Sequence, residues 1–278
     1  MQKRFPFKIG ADPEFNLFQN GENLNAKKTI KKLFRGKTEK GLGYEIERIG
    51  NIGWDSWENT AEIRPLPAYT PKELTENIRT LIKFIQNKKP EIEMSTKSYP
   101  DPVGGHLHFE IDKQTFADQK ELNKIHDIMT IYYLAIKDCE DKENTKKRVN
   151  CIPRLKGPST KIPTGITTYE FKLLNAEWLI TPILTQATIS IFATIFNEIR
   201  NHRNKIEKQT PMNKNLIEMI EQRKGGNLLM KGTMEKLKDN IRTFEYYPTF
   251  KKEIELIFEG ERVMKKKKEL NFNITNLW

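Results

Sequence analysis

The clearest strand pattern in the sequence is Gly104-Gly105-His106-Leu107-His108-Phe109-Glu110-Ile111. After the two glycines, polar and apolar side chains alternate without a break. Successive side chains of a strand point to opposite faces, so the two histidines and the glutamate share one face. The glycine pair permits close approach of a ligand to the backbone, although it is equally compatible with a plain turn.

Three other segments have ionisable residues two positions apart, with apolar residues on the reverse face. The pairs are Asp12 with Glu14, Glu62 with Arg64, and Glu170 with Lys172. If all four segments lie in one sheet, its polar face gathers groups that bind divalent ions and phosphates. A water-exposed face of an ordinary antiparallel sheet would show the same alternation. The histidines favour a site, because a solvated strand more typically carries threonine, lysine or glutamate.

Strands and helices alternate over the first two-thirds of the chain. The Asn20-Gly21 dipeptide predicts a tight hairpin turn, and we interpret segment 27–43 as a basic surface excursion that folds over a site. Strands are predicted at 5–18, 45–49, 60–64, 92–96, 106–111 and 167–174.

Helices are predicted within the first two-thirds of the chain and throughout its last third. A capping box at Thr70 and Glu73, with Pro71 at the first helical position, predicts the start of the first of these helices. Further helices are predicted at about 117–137, 182–204, 213–223, 230–244 and 250–268. The order of elements predicts an α+β fold with a helical C-terminal region.

The composition of the 278-residue chain, with 37% hydrophobic and 31% charged residues, is typical of a soluble globular protein. The longest strongly apolar stretch, 189–196, is far shorter than the roughly 18 residues of a membrane span. No apolar block of signal-peptide length follows the basic N-terminus. We therefore expect a cytoplasmic protein without membrane contact.

The formal net charge of +11 favours acidic partners, namely nucleotides, anionic substrates, nucleic acid or a membrane surface. The run Lys265–Lys268 is interpreted as a solvated helix end. Cys139 and Cys151 lack the spacing of a metal site or a redox motif, and we interpret them as buried or idle thiols.

The residues alone leave three functions open. There is no nucleophile elbow, Walker loop or dinucleotide-binding glycine motif. His106 and His108 with nearby carboxylates would suit a metal-dependent hydrolase. The second interpretation is a metal and phosphate site on a mixed sheet, and the third is a basic protein that binds nucleic acid without catalysis.

Five short motifs resemble the carboxylate–amine ligases, the amidoligases often encoded by phages, which are related to glutamine synthetase and glutamate–cysteine ligase. The motifs are Ile9-Gly10-Ala11-Asp12-Pro13-Glu14-Phe15, Thr60-Ala61-Glu62-Ile63-Arg64-Pro65, Gly104-Gly105-His106-Leu107-His108-Phe109, Tyr169-Glu170-Phe171-Lys172 followed by Trp178, and Arg154-Leu155-Lys156-Gly157. The last of these lies where the family has a basic loop.

The resemblance implies a glutamine synthetase-like fold, a curved and mainly antiparallel sheet with helices on its convex side. Residues 1–180 would form the catalytic sheet region, and 181–278 a helical region packed on the same domain. The concave face would hold ATP and Mg²⁺ or Mn²⁺. Small-molecule or peptide carboxylates and amines would be the substrates, in the cytoplasm of a bacterium or a phage-infected host, with nucleic acid a less favoured partner.

The resemblance also implies residue roles. Metal ligands would be Glu14, Glu62 and Glu170 with His106, which is favoured over His108, and Asp12 would be a further ligand or a hydrogen-bonding group. Phosphate contacts would come from Arg64, Arg154, Lys156 and Lys172. Lys172 departs from the arginine usual at its position, and it lacks the bidentate fork. Either Asp12 or Glu110 would deprotonate the amine.

Overall fold

The computed structural model describes residues 3–35, 39–46, 48–55, 58–111, 119–141, 168–210 and 228–278. Within these ranges, nine strands form one sheet. They are β1 (Ile9–Gln19), β2 (Glu22–Leu24), β3 (Glu39–Lys40), β4 (Gly43–Ile46), β5 (Gly50–Trp54), β6 (Ala61–Pro65), β7 (Glu93–Ser95), β8 (Gly105–Glu110) and β9 (Thr168–Phe171).

The same ranges contain α-helices and two 3₁₀ segments, Leu134–Cys139 and Ala176–Ile180. The α-helices are α1 (Ala26–Leu33), α2 (Pro71–Lys88), α3 (Gln119–Tyr133), α4 (Pro182–Gln209), α5 (Leu228–Arg242), α6 (Tyr247–Phe258) and α7 (Gly260–Glu269).

The sheet is antiparallel at every pairing of its described strands, in the order β3-β4-β5-β6-β1-β8-β9. The C-terminal half of β1 also pairs with β2 and β7. The predicted α+β class with a mainly antiparallel sheet is confirmed. The long strand β1 lies at the centre, and for this reason it contacts every strand that carries a predicted site residue except β9.

Apolar residues on the reverse face of the central strands form the core. Phe15, Ile63, Leu107 and Phe171 have no exposed surface. Helix α4 covers part of this face, because Phe196 packs with its ring centroid 4.6 Å from that of Phe109. The predicted alternation between an apolar and a polar face is therefore present in the sheet.

Several predicted elements are confirmed. Asn20 and Gly21 both have positive φ in the turn between β1 and β2, as a hairpin of this type requires. Thr70 caps α2 by accepting a hydrogen bond from the Glu73 amide, as the sequence predicted. The predicted helix 213–223 lies outside the described residues.

Other predictions were wrong in their boundaries. Segment 27–43, interpreted as an excursion, contains most of α1, whose Asn25 cap and buried Ile30 anchor it. The predicted strand 45–49 is replaced by the hairpin of β4 and β5, because Arg48 and Gly50 turn the chain with positive φ. The single helix predicted over 250–268 is two helices that meet at Glu259 and Gly260.

The lysine run at 265–268 is only partly a solvated helix end. Lys267 is 3% exposed, and its ammonium group lies 3.3 Å from the Glu177 carboxylate, which is fully buried. It also donates to the carbonyl oxygen of Cys139. The prediction of a fully solvated run was therefore wrong at Lys267.

Among the described helices, none combines the length and the apolar composition that crossing a membrane requires.

Candidate functional site

Strand register brings the predicted site residues together on one face of the sheet. Glu14 of β1 lies opposite Glu62 of β6. Asp12 lies opposite His106 of β8. On the next pair of strands, His108 lies opposite Glu170 of β9. Since directly paired residues of an antiparallel sheet share a face, these side chains form one continuous polar surface.

The centre of this surface is a compact group formed by Asp12, His108 and Glu170. One ligand atom from each of them lies within 4.8 Å of the other two. His108 Nε2 is 3.1 Å from Asp12 Oδ1. His106 Nδ1 lies 3.3 Å from both Asp12 Oδ1 and Glu170 Oε1. Two carboxylates and an imidazole at this spacing fit a divalent ion, and the imidazole suits manganese better than magnesium.

The charges of this group are strongly coupled. Burial would raise the pKa of Asp12, but the charges of His108 and His106 outweigh it and hold that pKa below its usual value. Burial lowers and the Asp12 charge raises the pKa of His108, and the net shift is upward. For Glu170, burial is outweighed by a hydrogen bond from His106, so the pKa is lowered. The two carboxylates are therefore ionised at neutral pH.

Glu62 differs from the other two carboxylates. Burial, together with the negative charges of Asp12 and Glu14, raises the pKa of Glu62 to about 9, although the charge of Arg64 acts in the opposite direction. The Arg64 guanidinium forms an ion pair with Glu62. It also donates to Asn51 Oδ1 at 3.2 Å and to the Trp54 carbonyl oxygen at 3.3 Å. Arg64 therefore faces the carboxylates in a fixed position.

Two further charged groups on this surface, Glu14 and Lys172, flank the centre. Glu14 accepts a hydrogen bond of 2.6 Å from the amide of Gly104, the residue just before β8. Lys172 places its ammonium nitrogen 3.0 Å from Glu170 Oε2. Lys172 thus keeps a cation beside Glu170, without the two-pronged contact that arginine would make.

Sequence reasoning missed Asn51 and Gly53, which lie on β5 opposite Arg64 and Glu62. A Cβ atom on Gly53 would lie 2.9 Å from Arg64 Nη1 and 2.1 Å from the carbonyl oxygen of Leu42. Only glycine leaves room here for the guanidinium. A usable signal was present, because Asn51 and Gly53 alternate with the apolar Ile52 and Trp54.

One predicted residue lies away from the centre, and two others cannot be placed because they fall outside the described residues. Glu110 lies two positions beyond His108, and its carboxylate accepts a hydrogen bond of 2.9 Å from the Lys8 amide. Arg154 and Lys156 fall outside the described residues. The described site therefore consists of residues from β1, β5, β6 and β8, with Glu170 of β9 and Lys172 just after it.

The chain is similar to a known family over most of its length. Residues 9–274 match the sequence model of the family described as Phage phiEco32-like COOH.NH2 ligase-type 2. A search of the curated proteins found no sequence match.

Solved structures give a second comparison. In a crystal structure of the complex between Prokaryotic Ubiquitin-like Protein Pup and its ligase PafA, the matching chain has a TM-score of 0.59 at 10% identity. The alignment covers 97% of this chain and 67% of that one. A bifunctional glutathione synthetase from Pasteurella multocida matches with a TM-score of 0.46 at 10% identity, over 95% of this chain and 49% of that one.

Proposed function

The chain belongs to the phage phiEco32-like COOH.NH2 ligase-type 2 family and is a carbon–nitrogen ligase, and on this premise we propose that it uses ATP and an acyl phosphate to form an amide. In the first step the γ-phosphoryl group moves from ATP to a substrate carboxylate, and ADP leaves. In the second step an amine attacks the acyl carbon, phosphate leaves, and the amine loses a proton. The substrates are a small-molecule or peptide carboxylate and an amine.

The observation that carries this proposal is the group of Asp12, His108 and Glu170. These residues would hold one divalent ion, and the facing carboxylates Glu14 and Glu62 would hold another. Bound Mg²⁺ or Mn²⁺ neutralises phosphate charge and orients the reacting oxygens.

Arg64 and Lys172 would serve the phosphoryl transfer from two sides of the carboxylates. Arg64 is held by Asn51 and the Trp54 carbonyl oxygen, so little reorganisation is needed when a phosphate arrives. Lys172 lies beside Glu170 and is partly exposed, so it can turn toward an anion. Arg154 and Lys156 stay predictions for the same role.

The attacking amine must be neutral, and a carboxylate must accept its proton. Asp12 fits this role better than Glu110. Asp12 lies in the central group, beside the place where the first ion would be held. The Glu110 carboxylate already accepts the Lys8 amide hydrogen bond, at the edge of the polar surface.

The test is release of ADP in the presence of Mg²⁺ or Mn²⁺ across a pool of carboxylates and amines. Glu170→Gln keeps the size of the side chain but removes its charge, so turnover should fall at least about a hundredfold. The melting temperature should change little. Glu91→Gln is the matched control, because Glu91 is exposed and pairs only with Lys89 among the described residues.

Two results would contradict the proposal. One is near-normal ADP release by Glu170→Gln in the same pool. The other is turnover that needs zinc but no ATP, which would favour the metal-dependent hydrolase.

A further inference from the structure

The polar surface continues past the central group toward the start of β1. The backbone amide of Glu110 donates to the Lys8 carbonyl oxygen, so Lys8 and Glu110 are paired in register. Residues 8, 10 and 12 then share one face of the strand. Lys8 therefore lies on the same face as Asp12, beyond Gly10.

Tyr69 borders the same end of this surface. Ile9 pairs with Ala68, and both are buried on the core side, so Tyr69 projects to the polar side. Tyr69 is 36% exposed. The Lys8 ammonium lies 5.8 Å from its ring centroid, and the Arg4 guanidinium lies 5.7 Å from it. The ring holds two cations at one place by cation–π attraction.

The strip between this pair of cations and His108 is narrow. It is formed by Gly10 and Pro67, and a Cβ atom on Gly10 would lie 3.3 Å from His108 Cβ and 3.9 Å from Pro67 Cβ. Since Gly10 has no side chain, nothing from β1 stands between Asp12 and Lys8. We name this strip, with Arg4, Lys8, Gly10, Pro67 and Tyr69, the Tyr69 groove.

We propose that the Tyr69 groove binds a second anionic group of the carboxylate substrate, which is an extended acidic peptide and not a free amino acid. The inference rests on the proposed function, in which the first carboxylate reacts at the central group. Lys8 and Asp12 are four residues apart on a strand, which is about 13 Å. An extended peptide spans about 3.5 Å per residue, so a peptide that reaches from Asp12 to Lys8 needs three or four residues.

Charge complementarity supports an anion in this groove. Arg4 and Lys8 face it, and the Glu110 carboxylate is turned to the Lys8 amide. The cations are partly exposed, so the gain in affinity is modest and depends on salt. An exposed charge pair of this kind corresponds to about a two- to fivefold change in the dissociation constant.

The test uses three synthetic peptides with blocked ends. The first is acetyl-Glu-Ala-Ala-Glu-amide, and in the other two one glutamate is replaced by glutamine. Binding is measured by calorimetry at low salt, with Mg²⁺ and a non-hydrolysable ATP analogue present. The doubly acidic peptide should bind about two- to fivefold more tightly than at least one of the other two.

This preference should disappear in the double variant Arg4→Gln with Lys8→Gln. Lys3→Gln is the control, because it removes a charge from the same segment, while Lys3 pairs with Glu245 and lies over Tyr246, away from the groove. It should keep the preference. The melting temperatures of all variants show whether a loss of binding reflects misfolding.

Several outcomes overturn the inference. They are equal binding of all three peptides by the unmodified protein, failure of every peptide to bind, and a preference that survives in the double variant. Loss of nucleotide affinity in the double variant, with the peptide preference unchanged, would assign the groove to the nucleotide. If the unmodified protein does not bind the nucleotide analogue, the proposed function fails, and the peptide comparison is then made with Mg²⁺ alone.

Discussion

Glu62 is a carboxyl group whose surroundings favour its neutral form. Burial and the charges of Asp12 and Glu14 raise its pKa from 4.5 to about 9. The folded chain therefore binds the Glu62 proton more tightly than the unfolded chain does. The stabilisation that comes from this raised pKa of Glu62 is fully present below about pH 4.5 and is lost as the pH rises toward 9. A bound cation would reverse this preference, because it favours the carboxylate.

Replacing Glu62 by glutamine should therefore stabilise the metal-free protein. The gain should grow from pH 5 to pH 8, by as much as about 1 kcal/mol per pH unit. Urea unfolding at several pH values, with chelator present, measures it. The same variant should lose the part of the Mn²⁺ stabilisation that comes from the ion proposed between Glu14 and Glu62. A gain that is constant with pH would contradict the raised pKa.

Lys267 shows that one member of a lysine run can have a different role from its neighbours. Its ammonium group is buried against Glu177, so removal of either charge leaves the other without compensation. Lys267→Met should cost about 3–5 kcal/mol of unfolding free energy. Adding Glu177→Gln should recover part of that loss, because it removes the unpaired charge.

Lys268→Met is the control for this experiment. The Lys268 side chain is 64% exposed, and it lies 3.5 Å from Asp141. Its loss should change the unfolding free energy by less than about 0.5 kcal/mol. Equal effects of the two substitutions would show that burial of Lys267 is not what stabilises the end of α7.

At the level of elements, alternation predicted the strands with a well-marked apolar face. Strands β6 and β8 were found close to their predicted boundaries, because each buries its odd-numbered residues in the core. The strand predicted over 167–174 ends at Phe171, and every residue of β9 is buried. The short strand β5 was missed, since Gly50 and Gly53 weaken its pattern. Helix α1 was missed because lysines dominate it and only Ala26 and Ile30 are buried.

Most residues of the polar surface were predictable from the sequence, but their pairings were not. Two-residue spacing identified Glu14, Glu62, His108 and Glu170 as one polar surface. Which histidine lies opposite Glu170 depends on the register between β8 and β9, and long-range pairing determines that register. The sequence therefore could not select between His106 and His108, and the assignment of metal ligands stays a prediction.

Strand β8 depends on the absence of a side chain at Gly105. A Cβ atom there would lie 2.1 Å from Trp178 Nε1 and 2.6 Å from the Asn175 carbonyl oxygen. Trp178 Nε1 donates to the Gly105 carbonyl oxygen at 3.1 Å, so the indole cannot move without loss of this bond. Gly105→Ala should shift β8 and reduce the unfolding free energy by about 1–3 kcal/mol.

The matched control is Gly232→Ala in α5. No heavy atom lies within 4 Å of a Cβ atom placed on Gly232, so alanine there should stabilise the helix by up to about 1 kcal/mol. Thermal unfolding of both variants, with and without Mn²⁺, is the measurement. If Gly105→Ala is as stable as the unmodified protein and responds equally to Mn²⁺, the contact with Trp178 does not position β8.

At the level of the whole molecule, the sheet and the C-terminal helices share one hydrophobic core. Phe5, which precedes β1, stacks on Phe250 of α6 with ring centroids 5.4 Å apart. Phe196 of α4 packs against Phe109 of β8 and Tyr169 of β9, with centroids 4.6 Å and 6.0 Å away. The sheet region and the helical region are thus not separated by a polar boundary where these rings meet.

This shared core predicts how a fragment of residues 1–180 behaves. Without α4 and α6, the rings of Phe5, Phe109 and Tyr169 would face water, and each buried aromatic ring is worth about 2 kcal/mol. The fragment should therefore lack near-ultraviolet circular dichroism and should not bind Mn²⁺. The full chain should unfold in a single transition that is the same by circular dichroism and by tryptophan fluorescence. A folded fragment that binds Mn²⁺ would show that the polar surface forms without the helices, and the site would then belong to the sheet region alone.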